Sequence, residues 1–364
     1  MSLFADTEAS FVERFAKTDH AVRSGIKTGL HRGCQVYVSH QGEPVANVGL
    51  GEAADGVTMT AQALNLWRSS GKPMTAAAVL RVLEQTGAGV DELVRTHIPE
   101  FADESIRIID LLTHTSGLPN TDVGWPNATW DEIVTSICGM NRDPSVAAAY
   151  SYFATWFLLG EILRRRDCEG RSFADLMRAT VFEPLDMLNT WNGMSAETWS
   201  QLSNRIAEVE TITLSGRRRT ELLHEEAFCT QASPGANLRS TARDVGRFFE
   251  ALHGGEYFAS PETLSQMVHP HRVDLVDATF KAKVRMGLGV VLASDDPTVP
   301  YGFGDHCSPQ TYGHGGAQCA MAFCDPAHEL VVAWAVNGFP GEPKHQHRNR
   351  AINSAIYEDL GLAS

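Results

Sequence analysis

The residues best suited to chemistry begin with Ser69-Ser70-Gly71-Lys72, which follows a short apolar run and opens a segment of helical spacing. Only Ser69 has a lysine three residues on, because Ser70 would pair with Pro73. Positions i and i+3 of a helix share a face, so the Lys72 amine can reach the Ser69 hydroxyl. A hydroxyl becomes a competent nucleophile when a neighbouring base takes its proton. An amine can be that base once burial and nearby positive charge lower its pKa. A serine at a helix start also has a backbone N–H without an intrahelical partner, free to point at an oxyanion. Taken alone, the S-x-x-K spacing equally describes a helix-capping serine beside a surface lysine. Two further clusters lie downstream: Tyr150-Ser151-Tyr152, ahead of a helical pattern at 157–161, and His314-Gly315-Gly316-Ala317, which opens a strand near the C-terminus.

With these clusters in this order, the chain resembles the serine β-lactamase-like family of class C β-lactamases, D,D-peptidases and related esterases and acyltransferases. The resemblance extends to Leu111-Leu112-Thr113-His114-Thr115-Ser116-Gly117-Leu118, Phe182-Glu183-Pro184-Leu185-Asp186-Met187 and Ser240-Thr241-Ala242-Arg243-Asp244. It continues through Gly287-Leu288-Gly289 and Asp325-Pro326, and so covers almost the whole chain. It implies a β-lactamase/transpeptidase-like α+β fold, an antiparallel sheet from both chain termini flanked by helices, with a mainly helical inserted region. It further implies that Ser69 is the acylated nucleophile and that Lys72 and Tyr150 are the proton-transfer pair, Tyr150 acting as a phenolate favoured by the adjacent cation. The N–H groups of Ser69 and Ala317 would form the oxyanion hole. Tyr152, His314, Gly315 and Gly316 would contact substrate, with no cofactor and no metal.

Two departures bear on the substrate. The Y-x-N motif of the lactamases ends here in Tyr152, and a phenol cannot offer the paired donor and acceptor of an amide. The strand motif carries His314 where lactamases and peptidases carry lysine, and histidine is largely neutral at pH 7 unless shifted. Both changes weaken recognition of penicillin-like or C-terminal peptide substrates, and the H-G-G form resembles the carboxylesterase and acyltransferase branches. A carboxylesterase is therefore expected, with a small-molecule ester as its partner. The alternatives are a β-lactamase or D,D-peptidase, an acyltransferase, and a catalytically silent binding module. No G-x-S-x-G elbow occurs, so the α/β-hydrolase route to an esterase has no support.

The elements that must position these residues follow from periodicity. A helix is predicted over 10–30 from Phe11, Phe15, Val22 and Ile26. The runs 34–38 and 44–48, joined through Gln41-Gly42, read as a hairpin. A helix over 73–84 ends at Gly87 and Gly89. Helical patterns at 106–112, 156–166, 173–181 and 242–252 fill the middle. Strands return at 286–293, 318–324 and 330–336, before a last helix over 348–360. This pattern predicts a sheet domain from 1–85 and 285–364 and a mainly helical domain over 86–284. Residues 213–219 and 295–309 read as exposed loops.

Other residues have blander readings. His114 is expected to fix a loop and pack near Tyr150. The pairs His269/His271 and His345/His347 lack acidic partners at metal-ligand spacing and read as loop and helix-entry residues. Trp67, Trp125, Trp156 and Trp334 suit the core better than an acyl pocket. Cys319 and Cys324, an odd number of steps apart on one strand pattern, would face opposite sides. The 364 residues carry 30 Lys+Arg against 44 Asp+Glu, a net charge of −14 that opposes phosphate backbones and anionic membranes. The runs at 164–166 and 217–219 read as solvated surface. No stretch approaches the ~20 apolar residues needed to cross a bilayer. Seven scattered cysteines suggest free thiols and a cytoplasmic setting. The oligomeric state is not legible.

Overall fold

Strands from the two ends of the chain pair directly. In the computed structural model, which describes residues 5–296 and 299–363, β1 (Gly33–His40) and β2 (Glu43–Ala54) form the expected hairpin. Gln41 and Gly42 both take left-handed φ (57° and 76°), the geometry of a two-residue turn that matches strand twist. The other strands are β3 (Val57–Thr58), β4 (Val291–Leu292), β5 (Tyr312–Gly316), β6 (Ala320–Asp325) and β7 (Leu330–Val336). Their order is β3-β2-β1-β7-β6-β5-β4, with β1 antiparallel to β7 and Val36 opposite Trp334. The sheet therefore joins the two termini, as the strand pattern predicts.

Both faces of this sheet are covered, which is why β7 is apolar throughout (Leu-Val-Val-Ala-Trp-Ala-Val) and not alternating. On one face Val36, Phe323, Val332 and Trp334 pack against Phe15 and Val22 of the N-terminal helices and Ile352, Ile356 and Tyr357 of the C-terminal helix. On the other, Tyr37, Ala322, Val331 and Ala333 meet Val245, Phe248 and Phe249 of helix Ala242–His253. Helix Lys72–Thr86 lies in the same core as Phe157, Leu158 and Leu159 of helix Ala154–Arg166, so the inserted region and the sheet share one apolar interior.

Several predicted elements differ in extent. The helix over 10–30 is two helices, Glu8–Arg14 and Ala16–Lys27, broken at Phe15. Of the run 286–293, only Val291–Leu292 joins the sheet. Gly289 turns with φ 75° where a Cβ would stand 2.3 Å from the Ala76 Cβ, so the chain bends to pass helix Lys72–Thr86. The helix at 173–181 ends as Phe173–Met177 and widens into a π-turn over Arg178–Phe182. The last helix begins earlier, at Glu342, with Pro343 in its first turn. Within the expected loop 213–219, Arg218–Glu221 pairs with Val209–Ile212 as a hairpin. Residues 297 and 298 of the other expected loop lie outside the described residues. The basic runs meet acids: Arg164 and Arg165 pair with Glu161, Arg166 with Glu92 and Arg218 with Glu210. Among the described residues no helix is long and apolar enough to cross a membrane.

Helix and sheet approach closely at Gly246, where an added Cβ would lie 2.3 Å from Cδ1 of Tyr37. The ring is anchored, since the Tyr37 hydroxyl donates to Glu250 at 2.6 Å. Gly246→Ala gains ~1 kcal/mol of helix propensity but forces overpacking worth about 1–3 kcal/mol. With contact this short, the steric cost wins. Urea unfolding should show a lower midpoint at unchanged slope, and an equal or higher midpoint would show that the ring can step aside.

Candidate active site

Ser69 sits in a 3₁₀ turn, Arg68–Gly71, that runs straight into helix Lys72–Thr86. The turn is held from both sides. The Trp67 N–H donates to the Leu238 carbonyl at 2.9 Å, and the Ser70 hydroxyl donates to the His314 carbonyl on β5 at 2.9 Å. Gly316 permits this closeness, because a Cβ there would stand 2.3 Å from the Trp67 carbonyl oxygen. Arg68 holds a left-handed φ of 44°, a conformation a bulky residue keeps only where its surroundings impose it. Its guanidinium lies over the Phe339 ring, 4.3 Å from the centroid.

The helix turn brings Lys72 Nζ to 3.3 Å from Ser69 Oγ, as the i, i+3 spacing predicts. Lys72 is fully buried, and among the described residues no carboxylate reaches it. Its Nζ donates to the carbonyls of Gly235 (2.6 Å) and Tyr152 (3.5 Å) and lies 5.0 Å from the Trp156 ring. Burial without a counter-charge pushes its pKa well below the ordinary lysine value, towards the neutral amine. Gly235 is required here too, since a Cβ would approach Nζ to 2.7 Å. The Thr75 hydroxyl, one turn along the helix, holds the preceding Pro234 carbonyl at 2.7 Å.

Tyr150 lies on a loop pinned by its backbone. Its N–H donates to Asp277 at 3.1 Å, and its carbonyl accepts from Asn120 (2.6 Å) and Thr279 (3.0 Å). Asp277 is itself paired with Arg272 at 3.1 Å, both fully buried. The Ser151 N–H donates to His114 Nδ1 at 3.0 Å, and the Tyr152 N–H to Asn120 at 3.0 Å. His114 is buried and packs 4.5 Å from the Tyr150 ring, in the structural role expected of it. The Tyr150 hydroxyl reaches the Ser69 hydroxyl and lies 3.5 Å from His314 Nε2. Complete burial raises the Tyr150 pKa, against the phenolate expectation, and the hydrogen bond from Ser69 only partly opposes this. The burial that lowers the Lys72 pKa thus favours the phenol form of Tyr150.

His314 is neutral as well. Burial above all holds its pKa down to about 3. Its Nδ1 lies 2.7 Å from the Gly315 carbonyl, which must accept the ring proton, leaving Nε2 as an acceptor towards Tyr150. Beyond Gly316, Ala317 begins the turn into β6. Neither its N–H nor that of Ser69 has a protein acceptor among the described residues. Gln318 follows with φ 58°, and its carbonyl accepts from Arg348 at 2.9 Å.

The predicted residues line one cavity of about 410 Å³. Ser69, Tyr150, Tyr152, His314, Gly315 and Ala317 border it, with Lys72 beneath the Ser69 turn and Gly316 behind the wall. The rest of the wall includes Phe280, Tyr301 and Glu342, which the sequence did not mark. It also gave no sign of Ser70, Gly235, Asn120, Asp277 or Arg348, whose roles depend on contacts between distant segments. None of Trp67, Trp125, Trp156 and Trp334 borders the cavity. Trp67, Trp156 and Trp334 are core, and Trp125 lines a separate cavity. Two expectations change in part. His345 enters the last helix in its first turn, as expected, but is fully buried and not at the surface, its Nδ1 3.0 Å from Arg348. Cys319 precedes β6 in the turn, so strand alternation does not apply, and it shares a core with Cys324; both are free thiols.

A sequence profile of the family described as Beta-lactamase matches residues 18–356. Penicillin-binding protein 4* of Bacillus subtilis (strain 168) is 27% identical over 229 residues, 58% of this chain and 50% of that protein. A putative D-alanyl-D-alanine carboxypeptidase of Escherichia coli (strain K12) is 24% identical over 302 residues, 72% of this chain and 66% of that protein. The match thus spans between half and two thirds of these relatives' length. The crystal structure of a family VIII carboxylesterase superposes with a TM-score of 0.77 at 21% identity, covering 95% of this chain and 98% of that one, a likeness of fold.

Four histidines, His31, His114, His314 and His345, are buried, with pKa values lowered first by desolvation. Below about pH 6.5 the unfolded chain protonates them while the folded chain does not, so stability falls as pH falls. Each can remove up to about 1.4 kcal/mol per pH unit in that range. The thermal midpoint should therefore drop steeply between about pH 6.5 and pH 5, before most carboxylates titrate. A midpoint level over that interval would show that the fold accepts these protons.

Proposed function

The chain belongs to the Beta-lactamase family of serine hydrolases, and on that premise we propose that it is a carboxylesterase working through a covalent acyl-enzyme on Ser69. The neutral Lys72 amine, 3.3 Å from Ser69 Oγ, takes the hydroxyl proton as Oγ attacks the ester carbonyl. The N–H groups of Ser69 and Ala317 receive the oxyanion, a contribution worth ~10²–10³ in rate for a single donor. Tyr150, a phenol within reach of Ser69, passes its proton to the departing alkoxide and regains one from the Lys72 ammonium. Water then repeats the attack on the acyl-enzyme, with the proton transfers reversed.

The wall at His314 supports an ester over a β-lactam or a peptide C-terminus. A substrate carboxylate there would meet a neutral imidazole whose Nε2 is an acceptor, so it would lose hydration without gaining a cation. An ester has no such charge and releases alkoxide, a better leaving group than an amine anion. A D,D-carboxypeptidase is the second reading, favoured by the likeness to the putative Escherichia coli carboxypeptidase.

Intact-mass spectrometry after mixing with a short-chain aryl ester, a penicillin and a D-Ala-D-Ala peptide separates the two. An acyl adduct that turns over with the ester alone is expected, and it should be absent in Ser69→Ala. Lys72→Ala should slow acylation by ~10²–10⁴. Wild-type acylation should decline at acid pH as Lys72 takes up a proton and stops accepting one from serine. Persistent ester turnover by Ser69→Ala, or a preferred peptide adduct, would overturn the proposal.

A further inference from the structure

We infer that the esters this site prefers carry an ammonium or quaternary ammonium group, held by the Glu342 carboxylate against the rings of Tyr152, Phe280 and Tyr301; the inference deepens the esterase reading and rests on it. Glu342 lines the same cavity as Ser69 and, among the described residues, is the only carboxylate on its wall. It has no ion-pair partner among the described residues. The Tyr301 hydroxyl donates to both of its oxygens, at 2.8 and 2.7 Å, and the Gln346 amide donates at 3.3 Å. These donors fix the carboxylate without neutralising it. No lysine or arginine borders the cavity, His314 carries no charge, and Lys72 lies beneath with its donors committed.

The surrounding wall suits a cation. Tyr150 lies 4.7 Å from Phe280 with the rings tilted by 47°, Phe280 lies 6.3 Å from Tyr301, and Tyr152, its side chain exposed, lies 5.8 Å from Tyr150. Aromatic faces beside a carboxylate attract a poorly hydrated cation through ring quadrupoles and direct Coulomb attraction. Burial first, and Glu342 as a further contribution, raise the pKa values of Tyr150, Tyr152 and Tyr301. The net charge of −14 adds long-range steering in the same sense.

The test compares choline butyrate with its neutral isostere, in which tert-butyl replaces trimethylammonium, and a second such pair with the cation on the acyl side. In at least one pair wild-type kcat/KM should favour the cation by about tenfold. Glu342→Gln keeps an acceptor for Tyr301 but removes the charge, and should bring that ratio towards unity. In parallel, phenyltrimethylammonium binding to Ser69→Ala is measured by calorimetry and should weaken about tenfold when Glu342→Gln is added. If the neutral esters turn over but neither pair shows the preference, or Glu342→Gln leaves it intact, the inference fails and the esterase reading stands. If no ester acylates Ser69 while the cation still binds through Glu342, the esterase reading fails and the cation site stands.

Discussion

A lysine amine buried without a counter-charge is the constraint on which this site depends. Desolvating an ammonium costs several kcal/mol unless it is paired or neutralised. This chain has 44 acidic residues, yet among the described residues none reaches Lys72. The fold instead supplies the Gly235 and Tyr152 carbonyls as acceptors and sets the Ser69 hydroxyl 3.3 Å away, neutral groups that orient the nitrogen without paying for a full charge. A carboxylate in place of any of these would restore the ammonium and remove the base. The same burial raises the Tyr150 pKa and holds that of His314 down to about 3, so desolvation favours the uncharged form of each side chain around Ser69.

That arrangement requires backbone, not side chains, to come close. Gly316 lets β5 pass the Trp67 carbonyl, and Gly235 lets its own carbonyl reach Lys72. Gly315 lies where a Cβ would stand 2.1 Å from the Tyr301 ring, so the glycine pair after His314 serves both the oxyanion turn and the aromatic wall. Ser70, one residue past Ser69, closes the arrangement by bonding the His314 carbonyl.

How much of this was legible in the sequence follows from the range of each signal. The pairing of Ser69 with Lys72 is a local helix property and could be read from spacing. The sheet built from both termini could be read because β1, β2 and β7 are dense in β-branched and apolar residues. The limits of 286–293 could not be read, because Gly289 bends to avoid Ala76 in another helix. Nor could the protonation of Tyr150, since burial is a property of the assembled loop and the sequence displayed only the neighbouring cation. Asn120, Asp277 and Glu342 are ordinary polar residues in the chain, and what they hold lies far away in sequence.

Arg348 extends the same physical strategy to the far side of the oxyanion turn. It is buried, its pKa is lowered by desolvation to about 10, and it too lacks a carboxylate. It donates to the carbonyls of Leu30, Gln318 and Gly338 and lies 3.0 Å from the Nδ1 atoms of both His31 and His345. Both histidines must be neutral for those nitrogens to accept, and burial beside the guanidinium keeps them so. Arg348 thereby grips the carbonyl of Gln318, the left-handed residue next to Ala317, and ties the oxyanion turn to the C-terminal helix that also carries Glu342. One helix thus braces the N–H that would meet the developing negative charge and presents the carboxylate that faces the opening. The placement of those two charges is a consequence of how the end of the chain packs back onto its beginning.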